Sequence, residues 1–88
     1  MRYFFNIADG QRVRDDIGQE LPDHEAAQRY AVIVATEILQ DDPQFIWEGH
    51  DVRVQVTDDR GLLLFEVLTF SNFAPAGEAA ASGRSPKG

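Results

Sequence analysis

The chain has 88 residues, 43% of them apolar, a net charge of -7 from fifteen acidic and eight basic side chains, and no cysteine. That length allows one domain with a modest core, and the lack of cysteine removes disulfide stapling and points to a reducing, cytoplasmic compartment. Arg2, Arg12, Arg14, Arg29, Arg53 and Arg60 are dispersed among more numerous carboxylates, and no apolar run nears the roughly 18 to 20 residues that span a bilayer, which argues against nucleic acid or a membrane as partner.

The first element is a strand. Tyr3, Phe5 and Ile7 alternate with Arg2, Phe4 and Asn6, the period-2 pattern of a sheet with one buried face; this start reads as a strand rather than a signal peptide. Ala8-Asp9-Gly10-Gln11 reads as a turn. Arg12 to Asp15 then forms a short polar strand of the kind found at a protected sheet edge, ended at Gly18.

Asp16 to Ala27 combines a loop with a helix start. Pro22 lacks an amide hydrogen and presets its backbone, and Asp23 is placed to accept hydrogen bonds from the free amides of a helix beginning at His24. Glu25 lies in the first turn and precedes Arg29 by four residues, the favourable order for a helical ion pair. The predicted helix runs from His24 to Gln40 and stops at Asp41-Asp42-Pro43. Ala27, Tyr30, Ala31, Val34, Ala35 and Ile38 make its apolar stripe, with Leu39 and Val32 at the margin and Ile33 on the opposite side, where it would suit a partner contact.

After the helix, Phe45, Ile46 and Trp47 seek burial or an interface, too few for a helix or strand assignment. A hairpin follows: Val52, Val54 and Val56 alternate with Arg53, Gln55 and Thr57, Asp58 to Gly61 turns, and Leu62 to Phe70 returns. The return strand is apolar on both faces, with Leu63, Phe65 and Val67 on one and Leu62, Leu64, Leu68 and Phe70 on the other. That composition predicts a central strand. A single helix covers only one side of a sheet, so Phe45 to Trp47, Phe73 or another protein molecule is expected over Phe4, Leu62 and Leu64. Residues 72–88 read as a disordered tail.

The expected architecture is a small α+β domain over residues 1–71, of ββαββ order, with one helix on a four-stranded antiparallel or mixed sheet. The sequence offers no catalytic, cofactor-binding or metal-binding set. Ser71, Ser82 and Ser85 lie at or beyond the domain end, and His24 and His50 have no evident orienting partner and no common zinc spacing. Candidate interface residues are Phe4, Ile33, Phe45, Trp47, Leu62 and Leu64. They support a non-catalytic interaction domain that forms a homodimer through the second apolar sheet face, or alternatively an acidic adaptor that binds a basic protein.

The strand Tyr3-Phe4-Phe5, the turn Asp9-Gly10, the run from Asp15 and Asp16 through Gly18 to Glu20-Leu21-Pro22-Asp23, Ala26-Ala27, and the Val54 to Gly61 hairpin ending at Phe70 resemble a bacterial family of short domains of unknown function. The resemblance covers residues 1–70; Phe45-Ile46-Trp47 and the long tail depart from it. It implies an α+β fold and a cytoplasmic location, and no activity. A looser likeness, on fold analogy, is to HicB-type antitoxins, which pass from a short β-meander through an acidic loop into an alanine-rich helix and bind a small basic toxin. The chain departs from them in having no DNA-binding appendage.

Overall fold

A computed structural model describes residues 1–10 and 12–77. In chain order these form β1 (Arg2–Ala8), β2 (Arg12–Val13), β3 (Gln19–Glu20), α1 (His24–Asp41), a single 3-10 turn (Phe45–Glu48), β4 (Val52–Thr57) and β5 (Leu63–Thr69). One helix packs on a five-stranded antiparallel sheet of order β2-β1-β4-β5, with β3 also paired to β1. The α+β expectation holds, with one strand more than expected. β3 is two residues long, too short for a periodic signal.

Helix α1 begins where its cap predicts. The Asp23 carboxylate accepts from the Ala26 amide at 2.8 Å, and Glu25 meets Arg29 at 2.9 Å. At the far end the Asp42 amide still donates to the Ile38 carbonyl before Pro43 redirects the chain. Ala27, Ala31 and Ala35 are buried, and Tyr30, Val34 and Ile38 pack beside them. Small residues at spacing four bring the helix backbone close to the sheet. From the sheet, Tyr3, Phe5, Val54 and Val56 complete the core, and each buried valine contributes about 1.5 to 3 kcal/mol through apolar burial.

Strand β5 corrects the sequence reading twice. It lies at the sheet edge, and the central strands are β1 and β4. Its register against β4 also slips: Phe65 pairs with Val56, whereas Leu63 pairs with the next residue, Thr57, so Leu64 is the extra residue of a β-bulge. A bulge puts two neighbours where one should be and breaks the alternation of faces. Leu64 and Phe65 therefore both pack toward the core, whereas Leu63, expected to point inward, is 50% exposed.

The opposite edge is built differently. β2 pairs with Ile7 and Ala8, and β3 with Arg2 and Tyr3, leaving the middle of β1 facing the loop between them. Here Asp15 substitutes for a strand: its carboxylate accepts from the Phe5 amide at 3.1 Å, and its own amide donates to the Asn6 side-chain oxygen at 2.9 Å. The second carboxylate oxygen takes the Ile17 and Gly18 amides, both at 3.0 Å.

Gly18 completes this loop with φ of +78° and no room for a side chain. A Cβ there would lie 2.9 Å from Phe4 Cε2, 2.9 Å from Arg2 Cγ and 3.0 Å from the Tyr3 carbonyl oxygen. Gly61, in the β4-β5 turn, has a similar φ of +82° with open space around it. Gly61→Ala should cost about 1 kcal/mol from backbone strain alone, and Gly18→Ala about 2 to 3 kcal/mol because steric conflict adds to strain. Urea melts of the two variants check the order; equal losses would contradict a tightly packed loop.

Past β5, the Ser71 hydroxyl donates to the Ile46 carbonyl at 2.7 Å, and the Phe73 ring lies 5.2 Å from that of Trp47. Residues 72–77, placed in the expected tail, thus include an aromatic contact with the 3-10 turn; 78–88 lie outside the described residues. Among the described residues, no helix is long and apolar enough to cross a membrane.

Candidate functional site

The sheet face turned away from α1 carries three rows of paired residues. One row runs Phe4, Thr57, Leu63; the next runs Asn6, Gln55, Glu66; the third runs Ala8, Arg53, Leu68. The middle row is polar, and the Gln55 amide donates to Glu66 at 3.2 Å. Apolar surface is instead concentrated along β5 and its flanks, where Leu62, Leu63, Leu68 and Phe70 are 62%, 50%, 45% and 61% exposed. The second face is therefore mixed, and its apolar part follows the open edge.

The six interface candidates do not form one surface. Phe4 is half-buried on the floor of a cleft, and Leu62 is exposed where the hairpin turn enters β5. Leu64 is partly buried against the core, rather than on the outer face where the alternation places it, because the bulge turns it inward. Ile33 is exposed on α1, whose core-facing stripe packs on the sheet. Phe45 stacks on His50 with ring centroids 4.2 Å apart, and Trp47 contacts Phe73. These aromatics cover one another and leave the apolar residues of β5 exposed. Sequence reading missed Leu63, because a bulge among four consecutive large apolar residues leaves no local trace.

Two clefts of about 520 Å³ flank the sheet. The first lies between the Arg12–Asp16 segment and the β4-β5 turn, over Phe4, Asn6, Gln55 and Thr57. Two of its carboxylates are engaged in holding the backbone. Asp58 caps its own turn by accepting from the Arg60 and Leu62 amides. Partial burial would raise the Asp15 carboxyl, but the Gly18, Phe5 and Ile17 amides and the Arg2 guanidinium outweigh it and hold the group below its ordinary value of 3.8.

The second cleft is lined by Asp9, Asp41, Asp42, Phe45 and His50, at the C-terminal end of α1. Among the described residues, no three His, Cys, Asp or Glu side chains gather closely enough to hold a metal ion. The other histidine, His24, holds structure together: its Nδ1 shares a 2.7 Å hydrogen bond with the buried Tyr3 hydroxyl, and its ring meets Phe65 edge-on.

The family is decided along the domain just described, since residues 2–71 match a domain of unknown function, DUF6894. The chain belongs to the DUF6894 family. No curated protein and no solved structure matches the chain. The match runs from the first residue of β1 to Ser71, so the features above, including the Asp15 loop, the capped helix and the bulged edge strand, belong to the DUF6894 domain itself. Phe73, which packs on Trp47, lies just beyond it.

Proposed function

We propose that this DUF6894 domain is a non-catalytic protein-interaction module of the bacterial cytoplasm that self-associates along the β5 side of its sheet. The supporting observation is the exposure of Leu62, Leu63, Leu68 and Phe70 beside an open sheet edge. Exposed apolar side chains on either side of a single charge, beside unpaired backbone, mark an interaction edge, because leaving them in water is unfavourable once a matching surface is available. Catalysis has little support: His50 lies flat on Phe45, and the Asp15 carboxylate is saturated by backbone amides.

Light scattering over a concentration series from low to high micromolar tests this reading. The mass should rise from about one chain to about two, and Leu68→Lys should keep the protein monomeric with its fold intact by circular dichroism. A constant monomer mass at high micromolar concentration would overturn self-association.

One observation favours an acidic adaptor for a basic protein as the second reading. Asp9, Asp41 and Asp42 lie together around the cleft at the end of α1, in a chain of net charge -7. The likeness of chain order to HicB-type antitoxins agrees with this acidity. Association of that kind would weaken steeply between low and high salt, whereas apolar self-association would not. Capture of a basic protein that persists unchanged in high salt, or no capture at all, would count against it.

A further inference from the structure

We infer that two copies of this domain join by antiparallel pairing of β5 with β5, with Glu66 of each copy opposite Leu68 of the other. This inference rests on the self-association reading above and specifies its geometry. The two sheet edges are unequal. At the β1 edge the partners are two-residue strands, and the exposed Phe5 amide is already taken by Asp15. β5 is seven residues long and contains no proline, no lysine and one charge, Glu66. Its bulge lies at the Leu63–Leu64 end, so Phe65 to Thr69 form a regular stretch whose one protecting charge is Glu66. Because this is the one long open edge among the described residues, pairing of two copies about a twofold axis uses it up in both.

Charge sets the register. Centring the pair on Glu66 would set two carboxylates directly opposite each other, which is unfavourable. Shifting the centre by one residue, to Val67, removes that conflict. On the outer face, the row Asn6, Gln55, Glu66 of one copy then continues into Leu68, Arg53 and Ala8 of the second copy, since Leu68 pairs with Arg53 within its own sheet. Glu66 and the second copy's Arg53 are then two strand spacings apart, about 10 Å between backbones. Their long side chains can close that gap across Leu68 while Arg53 keeps Asp51, 3.2 Å from its Nε, as a second partner, and the arrangement occurs twice by symmetry. At the two ends of the ladder, Phe70 of one copy lies opposite Leu64 of the other, with Leu63 one position beyond.

The exposed fractions of Leu62, Leu63, Leu68 and Phe70 amount to roughly 400 Å² per chain, so at most about 800 Å² for two copies before the backbone of the new ladder is counted, the scale of a weak, concentration-dependent interface.

The full chain has no cysteine, so single cysteine substitutions report on register. In the proposed dimer Val67 faces Val67 of the second copy, about 4.5 to 5.5 Å apart between Cα atoms, within the range a disulfide requires. Val67→Cys should convert most of the protein to a covalent dimer under mild oxidation, more than tenfold faster than Ile33→Cys on the exposed helix face. Because Val67 packs against the core, Glu66→Cys combined with Leu68→Cys provides a second variant, linking position 66 of one copy to 68 of the other.

Cross-linking at these β5 positions together with a dimer mass supports the inference. A dimer by light scattering in which neither β5 variant cross-links, or in which Ile33→Cys cross-links faster, overturns edge pairing and leaves self-association standing. A monomer at every concentration overturns both, and leaves the edge to a strand of a different protein.

Discussion

Tyr3→Ala should remove about 3 to 5 kcal/mol of stability, the usual loss when a large buried aromatic is truncated. Tyr3 is 1% exposed and sits among Phe5, Ala27, Ala31, Val54 and Val56, where the helix lies closest to the sheet. The alanines opposite cannot grow to fill the space, because their Cβ atoms are already all they have and the helix backbone is held by the Asp23 cap. The cavity therefore persists, and domains of this size have a total stability of only about 5 to 10 kcal/mol. Since 1 kcal/mol shifts Tm by roughly 4 to 8 °C at this length, the variant should melt 12 °C or more below the parent, or be unfolded at 37 °C.

The Tyr3 hydroxyl makes a smaller contribution that can be separated from the ring. It lies 2.7 Å from His24 Nδ1 at the first turn of α1, tying the start of β1 to the start of the helix. Tyr3→Phe should cost about 1 kcal/mol, and His24→Ala about 1 to 3 kcal/mol because it leaves the buried hydroxyl without its partner. In the double variant the second loss should be largely suppressed, a coupling that urea melts of the four proteins would measure. If Tyr3→Ala cost no more than Tyr3→Phe, the ring would not be the packed centre of the core.

The parts of this fold written in local pattern were readable before the structure. Asp23 and Pro43 bracket α1 through backbone chemistry confined to a few neighbours, and the alanine stripe is simple periodicity. Strand order was not readable. The two-sided apolarity of Leu62 to Phe70 is the mark of a central strand, yet it also describes an edge strand whose bulge sends both Leu64 and Phe65 inward and leaves Leu63, Leu68 and Phe70 exposed. Similar side chains on consecutive positions carry no information about which face each takes, so Leu64 was assigned to the wrong one. Phe45 and Trp47 stand out in the sequence as aromatics that seek burial or an interface; Phe45 stacks on His50 and Trp47, still 45% exposed, contacts Phe73, neighbours set by the chain's three-dimensional course.

Asp15 was the least legible residue, because its importance depends on a contact with Phe5 ten positions away. In sequence it reads as the last residue of a short polar strand. In the structure it completes the sheet edge, with one carboxylate oxygen accepting from Phe5 and the other from Ile17 and Gly18. Asp15→Asn should be more damaging than its size suggests. The asparagine oxygen can serve only one of these two positions, and its NH2 group must then point a donor at a backbone donor. Allowing for partial exposure, the expected loss is about 2 kcal/mol at neutral pH.

The same residue makes stability depend on pH in a defined direction. Its carboxyl has a lower pKa in the folded chain than its ordinary value of 3.8, with burial opposed and outweighed by three amides and Arg2. A group depressed on folding contributes its stability in full above the unfolded value and loses it as pH falls through the folded one. The gap between parent and Asp15→Asn should therefore be constant from neutral pH down to about 5 and narrow progressively below about 4. Chemical melts of both proteins across that range give the comparison. A gap that stayed constant under acid conditions would mean that the backbone path of the loop, rather than the charge on Asp15, holds this edge of the sheet.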